Sequence, residues 1–308
     1  MSVLETVEEY FNEKPSPFLN AKTVQIVMIR QLMDFTILRT EDSKELNIVE
    51  LPKSLDDPVA EVYGLFLASK QKAPESRQFA EFLRKYNNEY DCFLPKNLCM
   101  ECPRCLLFGS VKTGGKYNIK HRVEYSSAYS LLPFRDISET ITFNAVSEAD
   151  QKVGQALNVT HNFKPLTVFP SIITLKSVTT REFTLFVKTL LSTHSYGAES
   201  RVKGDVRNEI IAFVFGLEEI ITPLELNLDL KSVLDGSKNI SRKEMLDETA
   251  KILQKYRNLA GSPEKVKILT SEEVEKLLTE IRSESPEKIA KKLDEEVKAF
   301  LADVQQSN

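Results

Sequence analysis

All four cysteines of the 308-residue chain, Cys92, Cys99, Cys102 and Cys105, fall within the run CFLPKNLCMECPRC, spaced C-x6-C-x2-C-x2-C. Two C-x2-C steps share Cys102, so three thiolates reach one ion, and the loop back to Cys92 supplies a fourth. A tetrahedral four-thiolate zinc site follows from that spacing. An iron–sulfur cluster is the alternative, because C-x2-C-x2-C also suits one, although the usual C-x3-C-P continuation is missing. Disulfides between cysteines this close would be cramped. An ion with four sulfur ligands has no open position, so its expected work is to fold a short segment that lacks a core of its own.

The other side chains suited to chemistry here are cations. Net charge is −4, which by itself argues against a nucleic-acid binder, but the charge is unevenly spread. From Ser69 to Arg122 eleven Lys/Arg stand against five Asp/Glu, and from Lys176 to Arg207 six stand against three. Basic segments inside an acidic protein make a footprint for phosphates; solvated lysines on unrelated surfaces are the plain alternative. Four groups stand out as candidate RNA contacts. Arg30 lies on the first predicted strand, and Lys70, Lys72 and Arg77 lie near an expected helix break. Lys112, Lys116, Lys120 and Arg122 flank Gly114-Gly115, with Tyr117 available to stack. Tyr196, Arg201, Lys203 and Arg207 surround a Tyr-Gly-Ala-Glu-Ser-Arg turn. The diglycine segment is not a phosphate-binding loop, because Tyr117 follows Lys116 where Ser or Thr is required. His121 falls in the same segment, while His161 and His194 read as surface residues.

These side chains need elements to hold them. Val3 to Phe11 reads as a short amphipathic helix closed by Pro15-Ser-Pro17. Lys22 to Gln31 (KTVQIVMIRQ) and Asp34 to Arg39 (DFTILR) read as two strands at the heart of a sheet. Between Pro58 and Tyr86, Val59, Val62, Tyr63, Phe66 and Leu67, then Phe79, Phe82 and Leu83, recur at helical spacing. A helical pair broken at Lys72-Ala-Pro74 is predicted. The diglycine segment reads as a basic hairpin. Further strands are expected at Glu139 to Val146, Val168 to Leu175 and Asn208 to Val214, with Ser147 to Lys164 a flexible insertion. Thr180 to Ser192 has the spacing of a helix packed on a sheet. Beyond Val233 the chain is rich in Lys and Glu, with Ser262-Pro263 and Ser285-Pro286 opening new helices. The expected fold is α+β, with segments 1–57 and 123–232 forming the sheet core. Segment 58–122 is a helical and metal-binding insertion with the basic hairpin, and 233–308 is a helical appendage.

Hydrophobic residues make up 42% of the chain, ample for a core. No apolar run approaches the roughly 20 residues that span a bilayer. The N-terminus is acidic where a secretory signal needs a basic flank. With cysteines spaced for metal, this predicts a cytoplasmic protein that makes no membrane contact.

Several strings resemble the backbone subunit of CRISPR-Cas surveillance complexes, the Cas seven superfamily, and most closely its subtype I-D member, Csc two. They are Leu98-Cys-Met-Glu-Cys-Pro-Arg-Cys-Leu-Leu-Phe-Gly109, Ser127-Ala-Tyr-Ser-Leu131 followed by Phe143-Asn-Ala145, Phe169-Pro-Ser-Ile-Ile-Thr-Leu175 and Tyr196-Gly-Ala-Glu-Ser-Arg201. They span roughly Val24 to Val214, leaving the C-terminal region outside the resemblance. The resemblance implies a core like an RNA-recognition motif, ferredoxin-like, carrying a zinc-binding insertion and a thumb-like hairpin. It implies copies stacked along CRISPR RNA, with a target strand and other effector subunits as partners. Guides differ in sequence, so contacts should go to phosphate and ribose. The RNA-recognition signature of aromatic platforms is absent.

Two other functions compete with this one. Related subunits of type III complexes cut target RNA with an aspartate, and Asp136 in Phe134-Arg-Asp-Ile-Ser138 is the nearest analogue, though no carboxylate cluster for two metal ions accompanies it. A turn-stabilising role is the simpler reading. The cysteine cluster alone also suits a zinc-containing RNA-binding adaptor.

Overall fold

The computed structural model describes residues 2–16, 19–40, 45–86, 91–94, 96–111, 118–146, 153–197, 203–234 and 241–306. In chain order the elements are β1 (Thr23–Leu32), β2 (Ile48–Pro52), β3 (Ala60–Phe66), α1 (Ala68–Tyr86), α2 (Pro103–Phe108), β4 (Val123–Tyr125), β5 (Ala128–Pro133) and α3 (Phe134–Ile137). Then follow β6 (Ser138–Val146), β7 (Val153–Phe163), β8 (Val168–Lys176), α4 (Thr180–Ser192), β9 (Val206–Gly216) and α5 (Pro223–Leu234). The chain ends in α6 (Arg242–Leu259), β10 (Lys267–Thr270), α7 (Ser271–Ser283) and α8 (Pro286–Gln306).

Everything is built around β1, whose sequence TVQIVMIRQL is buried on both faces except at Gln31. A strand buried on both sides reads as a continuous apolar run rather than an alternating one. It pairs antiparallel with β8 on one side and β9 on the other, in a five-stranded sheet ordered β10-β9-β1-β8-β4. One face, with Val24, Ile26, Met28, Ile173, Phe213 and Phe215, is covered by Phe79 and Leu83 of α1 and by Phe183, Phe186 and Leu190 of α4. The other face, with Val27, Ile29, Ile172 and Val214, is covered by Leu226 and Leu230 of α5 and by Met245, Ile252 and Leu253 of α6. A bulge between Val27 and Met28 in the β1–β9 ladder makes Ile211 the extra residue, so Ile211 and Ala212 share one face while Ile210 and Phe213 take the other. A smaller sheet, β2-β3-β5, and a separate two-stranded ribbon, β6-β7, complete the architecture.

The α+β arrangement stands, and α4 forms where expected, opened by a capping box between Thr179 and Glu182. Four expectations need correction. Ala60–Phe66 is a strand, and α1 runs unbroken through Pro74. Apolar residues a few positions apart fit either period over so short a run, and pairing with β2 and β5 decides it. Asp34–Arg39 contributes only an isolated bridge, Thr36 to Phe163. Much of the expected flexible insertion is β7, paired to β6 from Ser138/Phe163 to Val146/Val153. Nor does 233–308 stand apart: β10 extends the central sheet along β9, while Leu277, Leu278 and Ile281 of α7 and Leu293 of α8 enter the core beneath α4.

Candidate metal centre and basic cleft

The cysteines converge. Their four Sγ atoms lie within 4.8 Å of one another, with Cys92 to Cys105 at 3.5 Å and Cys99 to Cys105 at 3.9 Å. Four sulfurs bound tetrahedrally at about 2.3 Å from one ion stand about 3.8 Å apart, so the spacing matches a single-ion site. Local structure explains the placement. Phe93 and Asn97 exchange backbone hydrogen bonds at 2.6 and 2.8 Å, folding the loop back on itself. Met100 takes φ of 65°, which turns the chain between Cys99 and Cys102. Pro103 then starts α2 and brings Cys105 into its first turn. Cys92, Cys102 and Cys105 are buried, and mutual hydrogen bonding splits the four thiols, drawing Cys92 and Cys105 below the ordinary range and leaving Cys99 and Cys102 above it. Four thiolates this close need a cation to coexist.

Sequence reasoning missed Arg104. Its buried guanidinium donates to Ser76 Oγ at 2.9 Å and to Cys92 Sγ at 3.6 Å, placing a positive charge beside a thiolate and tying the knuckle to α1. Its position between the last two cysteines was the available signal. The knuckle's other anchor is apolar, with Met100, Leu106 and Ile119 packed on Val297 and Phe300 of α8.

Three of the expected RNA-binding side chains are buried instead. Arg30 is fully enclosed and donates to Glu75 Oε1 at 2.7 Å, Tyr196 Oη at 3.0 Å and Asn208 Oδ1 at 2.9 Å. The Phe66 and Tyr196 rings flank its guanidinium at 5.8 and 5.4 Å. Burial is the largest influence and works against its charge, yet Glu75 together with Tyr196 and Tyr125 outweighs it and leaves the guanidinium proton held more firmly than usual. Tyr196 and Tyr125 donate to the two Glu75 oxygens at 2.7 and 2.6 Å, and burial pushes both phenols up. Arg30 shares the face of Val24, Ile26 and Met28, so its side chain meets Glu75 of α1 instead of solvent, while the second face is occupied by α5 and α6. Arg122 is likewise buried, ion-paired to Glu182 and donating to Ser177 O at 3.0 Å. These three are scaffold residues, not a surface for phosphate.

The exposed candidates divide among three concavities. Arg77 of α1 and Lys203 meet at an open cleft of about 440 Å³ lined also by Glu81, His194 and Ser195. Its far wall is a closed loop: Ser195 bridges Asp205, Tyr196 N donates to Gly204 O at 2.9 Å, and Ser195 Oγ donates to Lys203 O at 2.8 Å. Only glycine fits at 204, where φ is 67° and a Cβ would sit 1.5 Å from Tyr196 O. Tyr196, though buried, thus anchors the loop that displays Lys203. A second cavity of about 470 Å³ holds Lys72 and His121 with Glu124 and Glu219. Lys72 Nζ donates to Phe108 O at 3.2 Å and is depressed by burial. Lys70 is half-buried on α1 and Lys120 is exposed beside His121. Arg207 lies elsewhere, in a groove with Arg242. Lys112, Lys116, Tyr117 and Arg201 fall outside the described residues; the segment holding the first three is closed by an antiparallel bridge between Ser110 and Ile119. His161 contacts Thr140 across the β6–β7 ribbon at 3.1 Å. Asp136 sits on α3 with Arg135 Nε 3.9 Å away. Among the described residues no helix is long and apolar enough to cross a membrane.

Comparison with known proteins places this geometry in context. The model of a family described as Csc2 Crispr matches residues 7–293. Among solved structures, the chain is similar to Csc2 of Thermofilum pendens, at 18% identity over 97% of this chain and 98% of that one, with a TM-score of 0.63. A chain of a CRISPR RNA-guided surveillance complex is similar at 13% identity, over 80% of this chain and 87% of that one, with a TM-score of 0.53. At these identities the likeness is one of fold. No curated protein matches the chain.

Proposed function

This chain belongs to the Csc2 CRISPR family, and we propose that it is the guide-binding backbone subunit of a type I-D interference complex. In this reading it grips CRISPR RNA without regard to sequence, stacks in copies along it in the cytoplasm, and presents it to a target strand beside other subunits. The family match over nearly the whole chain carries this reading. The fold supports it: β1, α1, β4, β8, α4 and β9 succeed one another as in a ferredoxin-like RNA-recognition core, with β1 and β8 central and β9 and β4 outside them.

Covering the second face of that sheet with α5 and α6 removes the platform on which such cores stack bases, leaving loops and edges to make contact. Phosphate contacts from loops carry no sequence information, which suits a guide whose sequence varies. Arg77 and Lys203 in the cleft, with Arg201 two positions before Lys203 in sequence, are the proposed first contacts. Lys70, Lys72 and Lys120, with Lys112, Lys116 and Tyr117 of the diglycine segment, are the second.

Zinc fits the cysteine centre. Four thiolates are a soft donor set, and they stand closer together than they would around a cluster, where iron and sulfide intervene. Cys92, Cys99, Cys102 and Cys105 would hold the ion, whose contribution is structural: it fixes the knuckle against α1 and α8.

Binding of single-stranded RNAs of unrelated sequence across a salt series tests the reading. Similar affinities are expected, with log K falling against log salt by about 0.7 for each phosphate neutralised. Arg77→Ala with Lys203→Ala should flatten that slope. A preference for one sequence, or an unchanged slope, would count against it.

A further inference from the structure

Two surface features left unused by the RNA reading are complementary to each other. One is the β2–β3 hairpin. Its turn exposes Leu55 and Val59 by 58% and 57%, on either side of Asp56 and Asp57. Ile48 and Val62 are exposed on one face of the hairpin, because Ile48 stands opposite Gly64 and Val62 opposite Glu50. The turn is preformed: Asp57 N donates to Ser54 Oγ at 3.0 Å and Val59 N to Asp57 Oδ1 at 3.0 Å. Its base is pinned by Lys231, which donates to Pro52 O at 3.1 Å and sits 3.7 Å from the Tyr63 ring centre. A rigid tip that is both apolar and acidic suits a partner surface that is apolar and basic.

The other feature is such a surface. Where α6 begins, a groove of about 460 Å³ opens beside the second sheet face. Ile29, Leu131, Val168 and Met245 line it, with Arg207 and Arg242 among the lining residues. Both arginines are exposed, and Glu209 pairs with Arg242.

We propose that the hairpin tip of one copy seats in this groove of the next, with Leu55 and Val59 on the apolar floor and Asp56 and Asp57 against Arg207 and Arg242. The inference rests on the backbone reading and names the contact between its copies. Tip and groove are different patches, so the contact is heterologous and propagates as a row instead of closing as a pair. A single turn in a single groove covers far less than a standard interface of about 1,600 Å². It therefore acts only once RNA holds neighbours at high local concentration.

Leu55→Asp and Asp56→Lys test this on two RNAs, one long enough for a single copy and one for several. Both variants should fold and bind the short RNA as the wild type does, since both residues lie away from the proposed RNA contacts. On the long RNA, binding of the second and later copies should weaken by on the order of tenfold or more. A wild-type protein that loads only one copy on the long RNA overturns the backbone reading itself. Wild-type stacking that the variants match overturns the contact and leaves that reading intact. A photo-crosslinker at position 55 should label groove peptides around 131, 168 and 245 of another copy, only when RNA is present. Labelling of RNA, or of a different surface, also overturns the contact.

Discussion

Replacing Glu75 by Gln should be far more damaging than a one-atom change suggests. Glu75 and Arg30 are both fully buried and meet at 2.7 Å, and the same carboxylate accepts from Tyr196 and Tyr125. A neutral amide at this position would leave the Arg30 guanidinium charged, enclosed and uncompensated. Breaking a buried pair in this way costs about 3–5 kcal/mol. At about 2 °C per kcal/mol for a chain of this size, the melting temperature should fall by about 6–10 °C. The companion variant separates charge burial from lost packing. Arg30→Met with Glu75→Leu removes both charges, leaves Tyr196 still partnered by Asn208 at 2.7 Å, and should recover at least half of the loss. Thermal denaturation followed by circular dichroism measures all three proteins. A Glu75→Gln protein within about 1 kcal/mol of wild type, or a double variant as unstable as the single one, would refute the view that this pair is a desolvated scaffold.

Cys102→Ser should abolish stoichiometric metal, read by elemental analysis as loss of one zinc per chain, and raise amide exchange in the knuckle and at the end of α8 while the central sheet stays protected. Iron in the wild-type protein would refute the zinc assignment. Arg122→Met should lower stability through its lost pairing with Glu182 and leave the salt slope of RNA binding unchanged; a flattened slope would return Arg122 to the RNA surface. Burial depresses the Lys231 amine to about 8. Its proton is therefore lost from the folded chain before the unfolded one, and stability should rise with pH from about 8 toward 9.5. Lys231→Met should remove that rise, as melting temperatures across the range would reveal.

How much was legible depends on whether the information was local. The cysteine spacing carried the cluster because neighbours in sequence supply all four sulfurs. Helix α4 was readable from its 3.6-residue apolar period. Arg30 was misleading because its fate depends on Glu75, distant in sequence, and a lone cation in an apolar strand looks the same whether it faces solvent or a buried carboxylate. Strand β7 buries the polar Thr160 and Asn162 between the exposed Val159 and His161, so its inward positions left little trace in the apolar pattern. The covering of the second sheet face was hidden for a related reason: α6 looked like any charged amphipathic helix, and nothing in its sequence names the surface it meets.

The central position of β1 also has a consequence for synthesis. Thr23–Leu32 leaves the ribosome early, yet the strands that flank it begin only at Val168 and Val206. At about 5–20 residues per second, a nascent chain carries this strand unpaired for on the order of ten seconds. TVQIVMIRQL has high β-propensity, one charge and no proline, the composition that adheres to its own kind when both edges are open. Translation rate and chaperone supply, more than the stability of the finished fold, should therefore set the yield of active protein when the chain is made at high concentration.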